Sequence, residues 1–514
     1  MQPSEPSGAA APGTRPWWER RPLVAVLILL ALVPLLYPPV PPLVDLFGHM
    51  GRYRVQLDLG SSPWLREFYT FRWAAIGNLG VDLAVMPLAQ LVGLETAVKL
   101  IVLAIPPLTV AGFLWVAREV HHRLPPTAMF ALPFVFGHPF MFGFVNFALS
   151  MAFAFLAFGL WLRLARLGKL TLRAWLFVPI SIVVFFTHTF GWGTLGLLCF
   201  SAEAVRQHDR GTPWFKAGVG AALHAAVMSL PVAIMLAWRR ETHGRTAANW
   251  FDWDMKLEWI ASALRDRWAL FDYGSLLLAF AILVFALLSK RLTLSRNLAF
   301  SALVLLAGFI LLPWTVFGSA YADMRLVPYL IAVALLAIRF RTDTHLPTAR
   351  VLAALALAFV LVRLAGTTAS LAIAADDQRA KLAALDHVPM GARVASLVGI
   401  DCTRPWPLQR NSHLGSMVIV RREGFSNDQW VIEGANLLGL RYRQAGAYAA
   451  DPSQLVRANR CGPGHSPDDA LKALPRDAFD YVWMIDVPPF DPRSTAGMRM
   501  VWRGPGSILY QVRP

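Results

Sequence analysis

The feature that most constrains this chain is a recurrence of apolar runs whose connectors alternate in charge. Eleven runs stand out, at 23–40, 96–117, 127–138, 143–164, 174–188, 190–205, 217–238, 274–289, 298–313, 321–338 and 351–374. A bilayer core takes about 20 apolar helical residues to cross. Inside it every backbone N–H and C=O must be paired within the chain, so such runs are expected as a helical membrane bundle. Several runs are shorter than an upright span, which predicts broken or partly embedded helices. With the N-terminus inside, the inner connectors carry Arg118 and Arg123; Arg166, Lys169 and Arg173; Arg206, Arg210 and Lys216; Lys290, Arg291 and Arg296; and Arg339, Arg341 and Arg350. The short outer turns near Pro139 and Thr189 have no Lys or Arg, and the two long outer loops are mixed. Arg15, Arg20 and Arg21 precede the first run. This is the positive-inside pattern, and an odd number of crossings puts the C-terminus outside.

Composition excludes other classes. Only 16% of the 514 residues are charged and 56% are hydrophobic, whereas a soluble domain is nearer about a quarter charged. A net charge of +16 would suggest nucleic acid in a soluble protein. Here the basic residues sit between apolar runs and serve orientation, so no nucleic-acid partner is implied. Run 23–40 is followed by Pro38, Pro39, Pro41 and Pro42 rather than a small-residue cleavage site, and it reads as a retained first helix.

Three regions follow. Residues 1–21 read as a basic cytoplasmic tail, disordered where Ser, Pro, Gly and Ala dominate. Residues 22–374 form the membrane domain, with a first outer loop at 41–95. The apolar stretch 78–94 in that loop is expected to lie along the membrane, since counting it as a span inverts everything downstream. Residues 375–514 have ordinary soluble character. There, 393–398, 481–485 and 508–512 read as strands and 468–474 as a helix, which predicts a small extracytoplasmic α/β domain. Cys402 and Cys461 both lie in it, to be paired in an oxidising compartment or left as free thiols; Cys199 lies in a span.

Polar groups collect at the outer mouth. Asp45, His49 and Arg52 follow the first span in Leu43-Val44-Asp45-Leu46-Phe47-Gly48-His49-Met50-Gly51-Arg52. His138 and Asn146 stand at the third turn, and His188 closes the fifth span. Arg239, Arg240 and His243 follow the seventh span, and Asp323 and Arg325 begin the tenth. Ionisable residues in membrane segments are costly and often mark function, although groups at span ends also simply meet headgroups and water. Asp45 and His49 are four apart and would share a helix face. A carboxylate there suits a general base for an acceptor hydroxyl. It also suits a divalent cation, but one carboxylate and one imidazole do not define a metal site. Arg325, Arg239 and Arg240 suit a phosphate or pyrophosphate. The plainer readings are headgroup contact and an Asp323–Arg325 ion pair holding the tenth helix. Arg363, in mid-span, must face the bundle interior and a partner.

An aspartate just after the first span, an amphipathic stretch in the same loop, eleven spans with N-in and C-out, and a C-terminal outer domain together resemble the GT-C superfamily. These are membrane glycosyltransferases that use polyprenyl-phosphate-linked sugars, including bacterial protein mannosyltransferase-like and aminoarabinose transferase-like enzymes. The resemblance covers the architecture of the whole chain and, in motif, only the first loop. It implies that Asp45 is the catalytic base or orients a metal, and that the partners are a polyprenyl-phosphate-linked sugar and membrane lipid at the outer face of a bacterial inner membrane. His49 would orient the acceptor or assist. Arg325 with Arg239 or Arg240 would hold the leaving phosphate. Arg52, His138, Asn146, His188 and Asp323 would stand close by as further substrate contacts. Many members carry paired Asp/Glu residues in the first loop; here Asp45 stands with His49, while Asp58, Glu67 and Asp82 are dispersed. The outer domain has no Trp-Trp-Asp signature, which disfavours oligosaccharide transfer to Asn. Two other classes are a transporter of a lipid or polysaccharide precursor, for which no inverted repeat is visible, and a non-catalytic assembly protein on the same scaffold. Neither sugar nor acceptor is specified by the sequence. Alkaline phosphatase fused after Pro514 is expected to be active; an inactive, normally expressed fusion would reverse the orientation.

Overall fold

The computed structural model describes residues 16–239, 247–316, 318–341, 346–432, 436–458, 461 and 465–512. All eleven apolar runs lie on helical segments. Among the described residues, five helices are long and apolar enough to cross a membrane, or six if the pair Trp214–Met228 and Leu230–Ala237, bent by 63°, is one span. Most of the other candidate runs lie on short or broken helices, as their lengths predict. The shorter apolar helices are Arg21–Leu36, Gly80–Val92, Ala128–Phe142, Arg296–Leu311 and Met324–Leu336.

The short segments have identifiable causes. The first run breaks after Leu30 and resumes at Val33, with Pro34 in the first turn of the second piece. Proline has no N–H to give to the preceding turn. The 127–138 run is a tight 3-10 helix, Ala128–Phe136, with Pro133 inside it and all nine residues buried. It is apolar because it fills the bundle core, not because it faces lipid. The stretch after Asn78 is a helix, Gly80–Val92, which packs on Leu94–His121.

Arg363 finds a partner. Its guanidinium pairs with Asp272 at 2.8 Å and donates to the Leu264 carbonyl at 3.1 Å. Asp272 also accepts from the Trp406 indole N–H at 2.8 Å. Two membrane helices and a loop of the C-terminal domain are thereby tied at one buried carboxylate.

The C-terminal region forms the expected α/β unit. Its sheet runs in the order 499–504, 507–511, 481–485, 393–400, 425–426, and the strand 455–457 pairs with the far half of 393–400. The central strand Arg393–Ile400 lies parallel to Tyr481–Ile485 and is buried along nearly its whole length. Cover on both faces explains why it reads as a continuous apolar run. Pro467–Ala473 is helical, capped by Ser466. Cys402 and Cys461 are bonded, with Cα atoms 5.7 Å apart, within the range a disulfide requires.

Two features join this domain to the bundle. Helix Leu346–Leu382 runs 37 residues without a break, straight through position 374. Part of the first loop becomes sheet: Tyr69–Phe71 pairs antiparallel with Leu438–Leu440. Removing one member of a buried ion pair strands the other charge, at about 3–5 kcal/mol. Arg363→Met should therefore lower the thermal midpoint of the detergent-solubilised protein sharply, and Arg363→Met/Asp272→Asn should recover part of the loss. Equal midpoints for wild type and the single variant would show that the pair is not stabilising.

Candidate active site

The site is assembled on a short helix of the first loop. Leu46–Asp58 starts directly after Asp45, whose backbone N–H donates to the Phe142 carbonyl at 2.9 Å. The turn that meets it needs Gly143: its φ is +101°, and a Cβ there would stand 2.7 Å from the Asp45 nitrogen. One turn on, the His49 N–H donates to the Asp45 carbonyl at 3.1 Å, so both side chains share a face.

Both line a cavity of about 510 Å³ between the bundle and the C-terminal domain. Arg52, Asn146, His188 and Arg325 also reach its wall. The two walls differ in what they leave free. Arg52 is committed to Asp82 at 2.8 Å, and the Asn146 amide donates to the same carboxylate at 2.9 Å. His188 accepts from the Phe190 N–H and caps the Thr189–His208 helix. Arg325 donates from Nη2 to Ser319 Oγ at 2.9 Å, whereas its Nε and Nη1 are buried with no hydrogen-bond partner among the described residues. Phe144 and Phe190 hold the guanidinium between rings whose centroids lie 4.5 and 5.1 Å away. The result is a fixed cation with donors to give.

Two expected members lie elsewhere. His138 does not line the cavity; its Nδ1 faces Ser262 Oγ at 3.3 Å, and its ring packs by Trp259 and Phe142. Asp323 is buried against Lys256 at 3.0 Å and caps the turn at Met324. It is therefore not the partner of Arg325. Arg240 and His243, and the side chain of Arg239, lie outside the described residues.

The C-terminal domain supplies groups that the sequence did not flag. His413 points Nε2 at the Asp45 carboxylate, 3.9 Å away, while its Nδ1 lies 3.1 Å from the Asp428 carbonyl. That carbonyl accepts only a proton donor, so Nδ1 carries the hydrogen and Nε2 presents a lone pair to Asp45. Trp430 packs on His413 at 4.3 Å and on His49 at 5.2 Å between centroids. Asp451 and Tyr321 complete the wall. Among the described residues no group of three His, Cys, Asp or Glu side chains is placed to hold a metal ion.

Burial sets the proton balance. It raises the Asp45 carboxyl well above its ordinary value, Asp451 adds to this, and Arg325 opposes it. Burial lowers His49, helped by Arg52 and His413. His413 is lowered by burial as well, against the pull of Asp451. The imidazoles are thus neutral near pH 7, and Asp45 is the group poised to exchange a proton. Service as a general base needs the ionised carboxylate, the form that Arg325 favours against burial.

No protein-family model matches the chain. No curated protein matches it. Among solved structures it is similar to ArnT from Cupriavidus metallidurans in the apo state, with 12% identity and a TM-score of 0.46 over 95% of this chain and 97% of that one. It is similar to the same protein bound to undecaprenyl phosphate, with 12% identity, a TM-score of 0.47 and the same coverage. At that identity and score the likeness decides neither activity nor substrate.

Because burial raises the Asp45 carboxyl, infrared difference spectra should show a protonated carboxyl that persists above the usual aspartate value of about 3.9. The band should vanish in Asp45→Asn. In Arg325→Gln, where the lowering charge is gone, it should persist to still higher pH. A band that titrates at the ordinary value would overturn the electrostatic reading.

Proposed function

We propose that this protein is a membrane glycosyltransferase that moves a sugar from a polyprenyl-phosphate donor to an acceptor hydroxyl on the outer face of a bacterial inner membrane. One observation carries the reading: a carboxylate and a guanidinium with two buried nitrogens unpartnered among the described residues face the same cavity at the end of an apolar helix bundle. Base, acceptor and leaving phosphate must share one site, because proton transfer works over roughly 3 Å or through one water.

The reaction is a single displacement at the anomeric carbon. Asp45 takes the acceptor hydroxyl proton as the acceptor oxygen attacks. The bond between the anomeric carbon and the phosphate oxygen breaks, and the electron pair leaves with the polyprenyl phosphate. Arg325 holds that phosphate through Nε and Nη1, a charge-assisted contact that strengthens as negative charge accumulates. His49, neutral and packed against Trp430, orients the acceptor. The polyprenyl tail lies along the apolar helices.

Asp45→Asn keeps shape and removes the base. It is expected to lower transfer by about 10²–10⁴-fold while donor still binds. Arg325→Ala is expected to weaken donor binding instead, by roughly ten- to a hundredfold for a lost charged hydrogen bond. Transfer would be followed with radiolabelled polyprenyl-phosphate sugars, and donor binding by mass spectrometry of the purified protein. Donor binding with full activity in Asp45→Asn would remove the base role. Donor binding without any transfer by wild type would favour a non-catalytic scaffold or a carrier of lipid-linked precursors.

A further inference from the structure

At the opposite end of the bundle lies a second cavity, of about 440 Å³, that the proposed reaction does not use. The two ends are well separated. Helix Val145–Arg166 begins on the Asp45 cavity and ends with Arg166 on this one, and Thr189–His208 does the same with Arg206. Twenty-two helical residues rise about 33 Å, close to the thickness of a hydrocarbon core of about 30 Å.

Five arginines and three carboxylates line this second cavity. Three arginines are already matched. Arg166 pairs with Glu119 at 2.8 Å, Arg296 with Asp209 at 2.7 Å, and Arg206 with Glu203. Arg210 and Arg339 are left, and neither side chain has a partner among the described residues. The strand pair Leu292–Leu294 and Ile338–Phe340 brings Arg339 beside the start of helix Arg296–Leu311. That helix end adds a partial positive charge. The Asn297 amide has a buried oxygen with no partner among the described residues; it can take a ligand hydroxyl or, with the amide turned over, offer an N–H. An adjoining cavity of about 450 Å³ shares Glu119, His122 and Arg166 and adds Arg21 and Arg118. Apart from Ser295, the remaining wall is apolar, with Trp161, Leu162 and Ala202.

We propose that this cavity binds the phosphate headgroup of an anionic phospholipid. Two unmatched guanidiniums suit a phosphate group. The apolar half of the wall and the level in the bundle favour a lipid headgroup over free phosphate, because a phosphate ion alone leaves the apolar half unfilled. Basic pockets between membrane helices recognise headgroups by this combination.

The test uses the full chain in detergent with equimolar phosphatidylglycerol and phosphatidylcholine, read by native mass spectrometry. Wild type should retain phosphatidylglycerol in preference. Arg210→Gln/Arg339→Gln, two exposed and unpaired positions, should lower that retention by roughly tenfold or more, as expected for two charges at a headgroup. Lys290→Gln/Arg350→Gln removes the same charge from the same face outside both cavities and should leave retention unchanged. Three results would overturn the proposal: equal retention of the two lipids by wild type; an equal loss in the control variant, which would make the effect general surface charge; or displacement of the lipid by millimolar inorganic phosphate that binds in its place. None of these readouts depends on glycosyl transfer, so this assignment and the proposed reaction fail separately.

Discussion

The buried ion pair between Arg52 and Asp82 holds the site together. Its side chains are 5% and 1% exposed and 2.8 Å apart. Asp82 lies in the Gly80–Val92 helix, and its carboxylate also accepts from Asn146 at the start of a membrane helix. The Asn146 side-chain Oδ1 in turn accepts from the Val81 N–H at 2.6 Å. One carboxylate therefore fixes the angle between the helix that carries Asp45 and His49, the helix beside it and the bundle. A buried charge of this kind is costly unless all its partners are in place. Its value here is geometric: it sets where Asp45 points relative to Arg325.

The polar lining divides by what its hydrogen bonds serve. Arg52, Asn146 and His188 face the cavity but give their main polar atoms to backbone or to Asp82. Arg325 gives only Nη2, to Ser319 Oγ and the Ala320 carbonyl. A buried donor left unpaired carries a penalty of about 1–3 kcal/mol, and a ligand that satisfies it removes that penalty on binding. Arg325 leaves both Nε and Nη1 without a partner among the described residues, whereas Arg52 leaves only Nε and spends its terminal nitrogen on Asp82.

Much of the helical layout was legible in the sequence, because the apolar runs and their basic connectors are strong one-dimensional signals. Which runs are enclosed by protein was not. Ala128–Phe136 is apolar because it is surrounded by other helices, and hydropathy cannot tell protein from lipid as the neighbour. Arg363 was legible as needing a partner, but Asp272 was hidden in another span. At the mouth, depth was readable and position around the bundle was not. His138 and Asp323 stand at a level with Asp45 in sequence logic, yet their side chains turn toward Ser262 and Lys256. His413, Trp430 and Asp451 gave no signal, since polar residues are ordinary in a soluble domain. Only the pairing of Tyr69–Phe71 with Leu438–Leu440 and the packing of the first-loop helix on the C-terminal domain bring them to Asp45.

The unbroken Leu346–Leu382 helix has a mechanical meaning. At 37 residues it is about 55 Å long, and a continuous hydrogen-bonded rod has no hinge at the membrane surface. Swinging the C-terminal domain away would tilt that rod inside the bundle, against the Arg363–Asp272 clamp, and would peel the first-loop strand from Leu438–Leu440. The half of the cavity built by His413 and Trp430 is therefore carried as a rigid extension of the membrane helices.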